Sequence, residues 1–245
     1  MLPLVRLTDG LASTGYPGMN RPRIGHLDSG QPVVFKANRD GWMDDTPFGT
    51  GAEQDRAEVL ASHLLVDVLG LEGLPSYPAR SSEGNVGTYT HLVEGMKTYA
   101  ECSLDKIANP DSAVAQLVAR DWLGDWDANA TNFGVTPDGR LVSFDFGGAM
   151  MRGLPVVRRR AYTEIMDAYG TPERVGPICS KILALSDSQI DAAVTRVGRS
   201  LVPDWSSELR EHYTSVLIHN REAIREHYAA ARTGLATALA LAHAA

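Results

Sequence analysis

The residues best suited to chemistry lie between Asp121 and Met150, in DWLGDWDANATNFGVTPDGRLVSFDFGGAM. Asp127 is followed five residues later by Asn132. A turn, Thr136-Pro137-Asp138-Gly139-Arg140, separates Phe133-Gly134-Val135 from a short apolar run, Leu141 to Phe144, that ends in Asp145-Phe146-Gly147. Apolar runs on either side of a Pro-Asp-Gly turn predict a small hairpin, which would return Asp145 close to Asn132. A carboxylate and a carboxamide placed there are hard oxygen ligands suited to Mg²⁺ that bridges phosphates. Asp127 could accept the proton of an attacking hydroxyl. Gly147-Gly148 gives the backbone freedom where a substrate must pass. Asp and Asn are also common in turns, so Asp-x-x-x-x-Asn alone carries little. Its weight comes from what precedes and follows it.

Those side chains need elements to position them. Residues 4–7 read as a first strand, and Arg21 to His26 with Gln31 to Ala37 as a β-hairpin. Lys36 interrupts the apolar strand Pro32-Val33-Val34-Phe35-Lys36-Ala37. It is readable either as an outward-facing lysine on an edge strand or as a phosphate-gripping one. Before the hairpin, the loop around Gly15 and Gly18 offers backbone amides to phosphate, or is a plain surface turn. Residues 51–69 carry apolar positions at three- and four-residue spacing and predict a helix closed by Gly70 and Pro75. On it, Glu58 is a candidate partner for Lys36 and Glu53 its competitor; either is also readable as a solvated helix charge. Tyr77 to Arg80 and Val86 to Val93 form a second strand pair, broken by Glu94-Gly95-Met96, where an adenine could bond to the backbone. Helices are expected over 111–122, 161–185, 187–199 and, as one or two segments, 206–241. The change near residue 95 from strands with glycine turns to helices predicts an α+β chain with a β-rich part over 1–95 and a helical part over 96–245.

The order of lysine strand, helix glutamate, Asp-x-x-x-x-Asn and Asp-Phe-Gly is how kinase-fold enzymes assemble a phosphate grip, a base and two metal ligands. The chain resembles the atypical kinase superfamily that includes the HipA-type bacterial kinases and the phosphatidylinositol kinases. The resemblance rests on Gly124-Asp125-Trp126-Asp127-Ala128-Asn129-Ala130-Thr131-Asn132-Phe133, on Glu58 with Leu69-Gly70 and Pro75, on Leu92-Val93-Glu94-Gly95, and on Leu185-Ser186-Asp187-Ser188-Gln189-Ile190. It spans about residues 10–200 by motif order. It implies a bilobal kinase-like fold and ATP with Mg²⁺. Lys36 would hold the phosphates, Asp127 act as base, Asn132 and Asp145 bind metal, and Gly15, Gly18, Glu58, Glu94 and Asn129 serve the nucleotide. The expected reaction is phosphoryl transfer to a hydroxyl of a protein, peptide or small molecule. The chain departs from the pattern at Ala128-Asn129, where the family carries Arg-His. A neutral Asn129 there weakens the electrostatic support such sites work by, which keeps a nucleotide-binding pseudokinase as an alternative; AMP transfer, another reaction on the same fold, is a second. It also lacks room for the extra N-terminal domain of HipA proteins, so nucleic-acid binding by that route is not implied.

Bulk properties narrow the field. Net charge is −7, from 23 Lys+Arg against 30 Asp+Glu. Proteins that neutralise phosphate backbones usually carry a basic surplus instead. Hydrophobic content of 44% and charged content of 22% are ordinary for a soluble globular chain. A length of 245 residues suffices for one large domain or two lobes. Cys102 and Cys179 cannot make a disulfide framework, and the N-terminus carries no signal-peptide pattern, so a cytoplasmic location is expected. The tail from Leu235 is apolar and Ala-rich. It is far short of the roughly 20 residues that a membrane span needs. The seven histidines are scattered without ligand-type spacing, which argues against a metal hydrolase.

Overall fold

A computed structural model describes residues 2–11, 22–37, 50–125, 127–150 and 160–229. The chain is a mixed α/β protein with a five-stranded closed barrel near its N-terminus and helices over most of the remainder. The barrel strands are β1 (Leu4–Leu11), β2 (Arg23–Leu27), β3 (Pro32–Lys36), β4 (Tyr77–Ser81) and β5 (Val86–His91), in the order β1-β2-β3-β5-β4. Neighbours are antiparallel except where β4 meets β1, with Leu4 opposite Arg80 and Val5 opposite Ser81. That parallel contact closes the sheet and was not legible from hairpin signals alone. Alternation along the strands sends Val33, Phe35, Ala79 and Tyr89 inward with Val5, which leaves Val34 and Lys36 on the opposite face. β3 is paired on both sides, so Lys36 does not sit on an edge strand.

Between β3 and β4 runs α1 (Gly51–His63), continued without a break by a wider π-helical segment, Leu64–Val68. Thr50 and Glu53 form a capping box at its start. Glu53 Oε2 accepts from the Thr50 amide at 2.6 Å, and the Glu53 amide donates back to Thr50 Oγ1 at 3.3 Å. Gly70, at φ 61°, ends the segment in the left-handed region. Ala57, Leu60, Ala61, Leu64 and Leu65 are buried, and α1 packs against both the barrel and α5 (Asp187–Leu201).

After β5 a turn at Glu94-Gly95 leads to β6 (Lys97–Thr98), a two-residue strand that the sequence did not signal. It pairs with β7 (Phe133–Val135), which pairs in turn with β8 (Leu141–Ser143); the last two are the expected hairpin. α2 (Pro110–Trp122) lies under this small sheet. Its buried Gln116 donates to the Leu141 carbonyl at 2.7 Å and accepts from Ser143 Oγ at 2.8 Å, fixing β8 to the helix. The helix expected over 161–185 is two helices, α3 (Arg160–Tyr169) and α4 (Pro172–Leu183). The break falls at Gly170-Thr171-Pro172, because Pro172 has no amide hydrogen to continue a helix and is suited to begin one. α6 (Ser207–His227) covers the first part of the last expected helix; residues 230–245 lie outside the described ones. Asn220 and Trp122 tie α6 to α2: the Asn220 amide donates to the Trp122 carbonyl, and the Trp122 indole to the Leu217 carbonyl. Neither Cys102 nor Cys179 is in a disulfide, and no helix among the described residues is long and apolar enough to cross a membrane.

The tightest backbone approach in the barrel is at Gly87, where a Cβ would lie 2.2 Å from the Lys36 carbonyl oxygen. Gly87→Ala must therefore push β5 away from β3. Urea unfolding of this variant is expected to show a loss of about 1–3 kcal/mol, the usual size of an overpacking penalty.

Candidate active site

Lys36 brings three segments together. Its ammonium lies 2.5 Å from Glu58 Oε2 and 2.6 Å from Asp145 Oδ1. Lys36 is only 9% exposed and Glu58 3%, whereas the side chain of Asp145 remains 37% exposed. Of the two glutamates open as partners, Glu58 makes the contact and Glu53 is spent on the helix cap. The second oxygen of Glu58 accepts from Ser76 Oγ at 3.0 Å, and the Ser76 amide donates to Ser62 Oγ at 2.9 Å. Ser76 and Ser62 are buried, so this polar chain stands in for water around a dry carboxylate. Burial pushes the Glu58 carboxyl up against the pull of Lys36. Burial works in the same sense on Asp145, but there Lys36 wins and holds the carboxyl below the usual range. The Lys36 ammonium is held above its ordinary pKa: burial lowers it, and the two carboxylates more than offset that.

The Asp127–Asn132 loop closes on itself. Asn129 Oδ1 accepts from the Thr131 amide at 2.8 Å and starts the short 3₁₀ turn Ala130–Asn132. Its Nδ2 donates at 3.1 Å both to the Asp127 carbonyl and to Asp127 Oδ1. Asn129, expected to serve the nucleotide, directs its amide at Asp127. Asn132 Nδ2 donates to the Asp127 carbonyl at 2.6 Å and approaches Asp127 Oδ2 at 3.3 Å. The hairpin does what its sequence predicts: the Phe144 amide donates to the Asn132 carbonyl at 3.1 Å, setting Asp145 beside the loop. Asp145 sits at φ 55°. Aspartate tolerates this left-handed conformation better than most residues, and such conformations collect at functional sites. Shortly after it, a Cβ on Gly148 would lie 3.0 Å from the Cβ of Asp127. Glycine there lets the two segments pass in contact.

The structure therefore brings Lys36, Glu58, Asp127, Asn129, Asn132 and Asp145 into one region. Glu94 is exposed in the turn after β5, and Gly15 and Gly18 lie outside the described residues. Two further residues escaped sequence reasoning. Arg120 on α2 and Asp125 form a completely buried ion pair at 2.5 Å beneath the loop. Desolvation pushes the Asp125 carboxyl up to about 6 despite the Arg120 charge. The five-residue spacing from Arg120 to Asp125 is no recognised motif, and an arginine on a helix reads by default as a solvated charge.

Among the described residues, no group of three or more His, Cys, Asp or Glu side chains is placed to hold a metal ion. One carboxylate and one carboxamide, Asp145 and Asn132, completed by phosphate oxygens and water, is the donor set Mg²⁺ favours.

Neither a protein-family model nor a curated protein matches the sequence. Among solved structures the chain is similar to the proinflammatory kinase CtkA of Helicobacter pylori, with a TM-score of 0.54 at 13% identity, over 91% of this chain and 93% of that one. The likeness extends to nearly the whole of both chains and establishes a kinase-like fold.

Two outcomes follow from the buried charges. Lys36→Met leaves Glu58 dry and without its cation, so equilibrium unfolding should show a loss of about 3–5 kcal/mol, most of it recovered in Lys36→Met/Glu58→Gln. For Asp125, a folded pKa of about 6 above the unfolded value of 3.8 means that the native state holds the extra proton. Its contribution is complete below pH ~4 and is lost as pH rises through ~6. Between those values the parent should lose up to about 3 kcal/mol relative to Asp125→Asn, measured by urea unfolding at a series of pH values.

Proposed function

We propose that the protein is an ATP- and Mg²⁺-dependent phosphotransferase that moves a phosphoryl group to a hydroxyl of a protein, peptide or small molecule. The single observation that carries this reading is the Lys36 ammonium held between Glu58 and Asp145 in a chain with a kinase-like fold. On this reading residues 1–95 and 96–245 act as two lobes around a cleft, and the resemblance to HipA-type kinases supplies the roles.

A phosphate entering the site would compete with Asp145 for Lys36, which Glu58 and Ser76 keep in place from behind. Freed of Lys36, the half-exposed carboxylate of Asp145 would be open to a metal cation in its place. Asn132 and Asp145 would hold Mg²⁺, which would offset the charge of the phosphates. Asp127, held by Asn129 and Asn132, orients the acceptor hydroxyl and takes its proton. The acceptor oxygen then forms the new bond to the γ-phosphorus as the bond to the ADP oxygen breaks, and ADP leaves. The exposed turn at Glu94-Gly95 is the segment offered to the adenine.

A second reading has its own observation. Asn129 supplies no charge to a transferring group, and its amide is committed to Asp127. That arrangement also suits a pseudokinase that binds nucleotide without turning it over.

Incubation with γ-labelled ATP and Mg²⁺, alone and with a lysate or metabolite panel, separates the readings by where label appears. Asp145→Ala should abolish Mg-ATP turnover, and Asp127→Ala should keep nucleotide binding while losing transfer, each by about 10³-fold or more. Unchanged turnover in Asp145→Ala would sink the assignment. A parallel incubation with α-labelled ATP indicates AMP transfer if its label reaches the acceptor; a thermal shift with Mg-ATP but no labelled acceptor from either nucleotide supports the pseudokinase.

A further inference from the structure

Arg120 lies near the end of α2, with its side chain wholly buried. Its guanidinium carbon lies over the rings of Phe133 and Phe146, 4.5 and 4.3 Å from their centroids. These are the residues that directly follow Asn132 and Asp145. In the guanidinium plane, Nη2 donates to the Phe144 carbonyl at 2.5 Å and the Asn132 carbonyl at 3.2 Å, and lies 3.4 Å from that of Asp145. Nη1 donates to Asp125 Oδ2 at 2.5 Å, and Asp125 Oδ1 accepts the Asp127 amide at 3.2 Å. One rigid planar group therefore reaches the backbone at Asn132 and Asp145 directly, and at Asp127 through one carboxylate.

Stability is a poor explanation for this arrangement. The Nε of Arg120 is buried with no acceptor, and a buried ion pair can often be exchanged for apolar side chains without loss. What an apolar pair cannot supply is a fixed distance among three carbonyl groups and a carboxylate. Lysine cannot supply it either, since its ammonium is a single point on a flexible stem, whereas the guanidinium is a preformed fork.

We propose that Arg120 is a positioning residue that holds the Asp127–Asn132 loop and Asp145 at one fixed separation, so that base and metal ligands form a single site. The roles of those three residues rest on the phosphotransfer reading; the mechanical coupling of the two segments does not.

The test uses the full chain with two variants, Arg120→Lys and the double variant Arg120→Met/Asp125→Asn, which removes the buried charges together and so guards against simple unfolding. Amide hydrogen exchange is read in segments 127–135 and 141–150, with β3 and α5 as internal references. In both variants the two segments should exchange about 10-fold faster together while β3 and α5 keep their protection, as expected when a local constraint is lost. With Mg-ATP, kcat should fall about 10²-fold, as for a misplacement on the order of 1 Å. The Mg²⁺ concentration for half-maximal turnover should rise about 10-fold or more, while KM for ATP stays within about threefold because Lys36 is untouched. A double variant with the exchange and turnover of the parent would overturn the proposal and make the pair merely structural; so would exchange that rises uniformly along the chain. If the parent itself neither binds nor turns over Mg-ATP, the phosphotransfer reading fails, and the exchange pattern still decides the coupling.

Discussion

One ammonium group serves three segments that are far apart in sequence. Lys36 comes from the end of β3 in the barrel, Glu58 from α1 and Asp145 from the segment just after β8, and the ammonium joins the three. The barrel fixes the lysine: β3 is bonded on both sides, and Gly87 lets β5 press against the carbonyl of Lys36 itself. Two carboxylates on one cation leave an excess negative charge. Burial decides where it resides, because the dry side at Glu58 penalises ionisation more than the open side at Asp145. The surplus therefore sits on the solvent face, where a cation would be drawn. A buried ion pair contributes little to stability by itself. Its worth here is that it registers α1 and the β7–β8 hairpin against the barrel.

The features that were legible in the sequence are those set by local chemistry. A Pro-Asp-Gly turn between short apolar runs specifies the β7–β8 hairpin, and hairpin geometry alone carries Asp145 back to Asn132. Thr50 with Glu53, and Ser186 with Gln189, specify helix starts and form capping boxes. Lysine in an apolar strand was legible as an anomaly, though which face it took was not. What remained hidden depends on contacts between distant segments. The choice of Glu58 over Glu53 follows from the helix phase relative to the barrel, and a single sequence does not encode that phase locally. The β1–β4 contact that closes the barrel is parallel and long-range, so no turn announces it. Gly170-Thr171-Pro172 does carry a helix break in its residue types, but the apolar periodicity continues through it. Arg120 is the extreme case: everything that distinguishes it is the company of Phe133, Phe146, Asp125 and three carbonyls, all brought by the fold.

Asn129 and Arg120 bear on the same electrostatic question. The described residues of the region supply four carboxylates, at Glu58, Asp125, Asp127 and Asp145, against two cations, at Lys36 and Arg120. Arg120 is buried beneath the loop against two aromatic rings, and its Nη1 and Nη2 donate to protein acceptors, so its charge is directed at the scaffold. Position 129 supplies no further cation, and its amide strengthens the hold on Asp127. On the phosphotransfer reading, a polyanionic nucleotide would enter a site whose one substrate-facing cation among these residues is already shared between two carboxylates. Charge balance then requires a divalent ion to accompany the phosphates, since Lys36 can leave Asp145 only if another cation takes its place. On that reading the loop trades a charged contact to the transferring group for a more rigidly held Asp127, and the chemistry, more than nucleotide affinity, depends on the pair at Asn132 and Asp145.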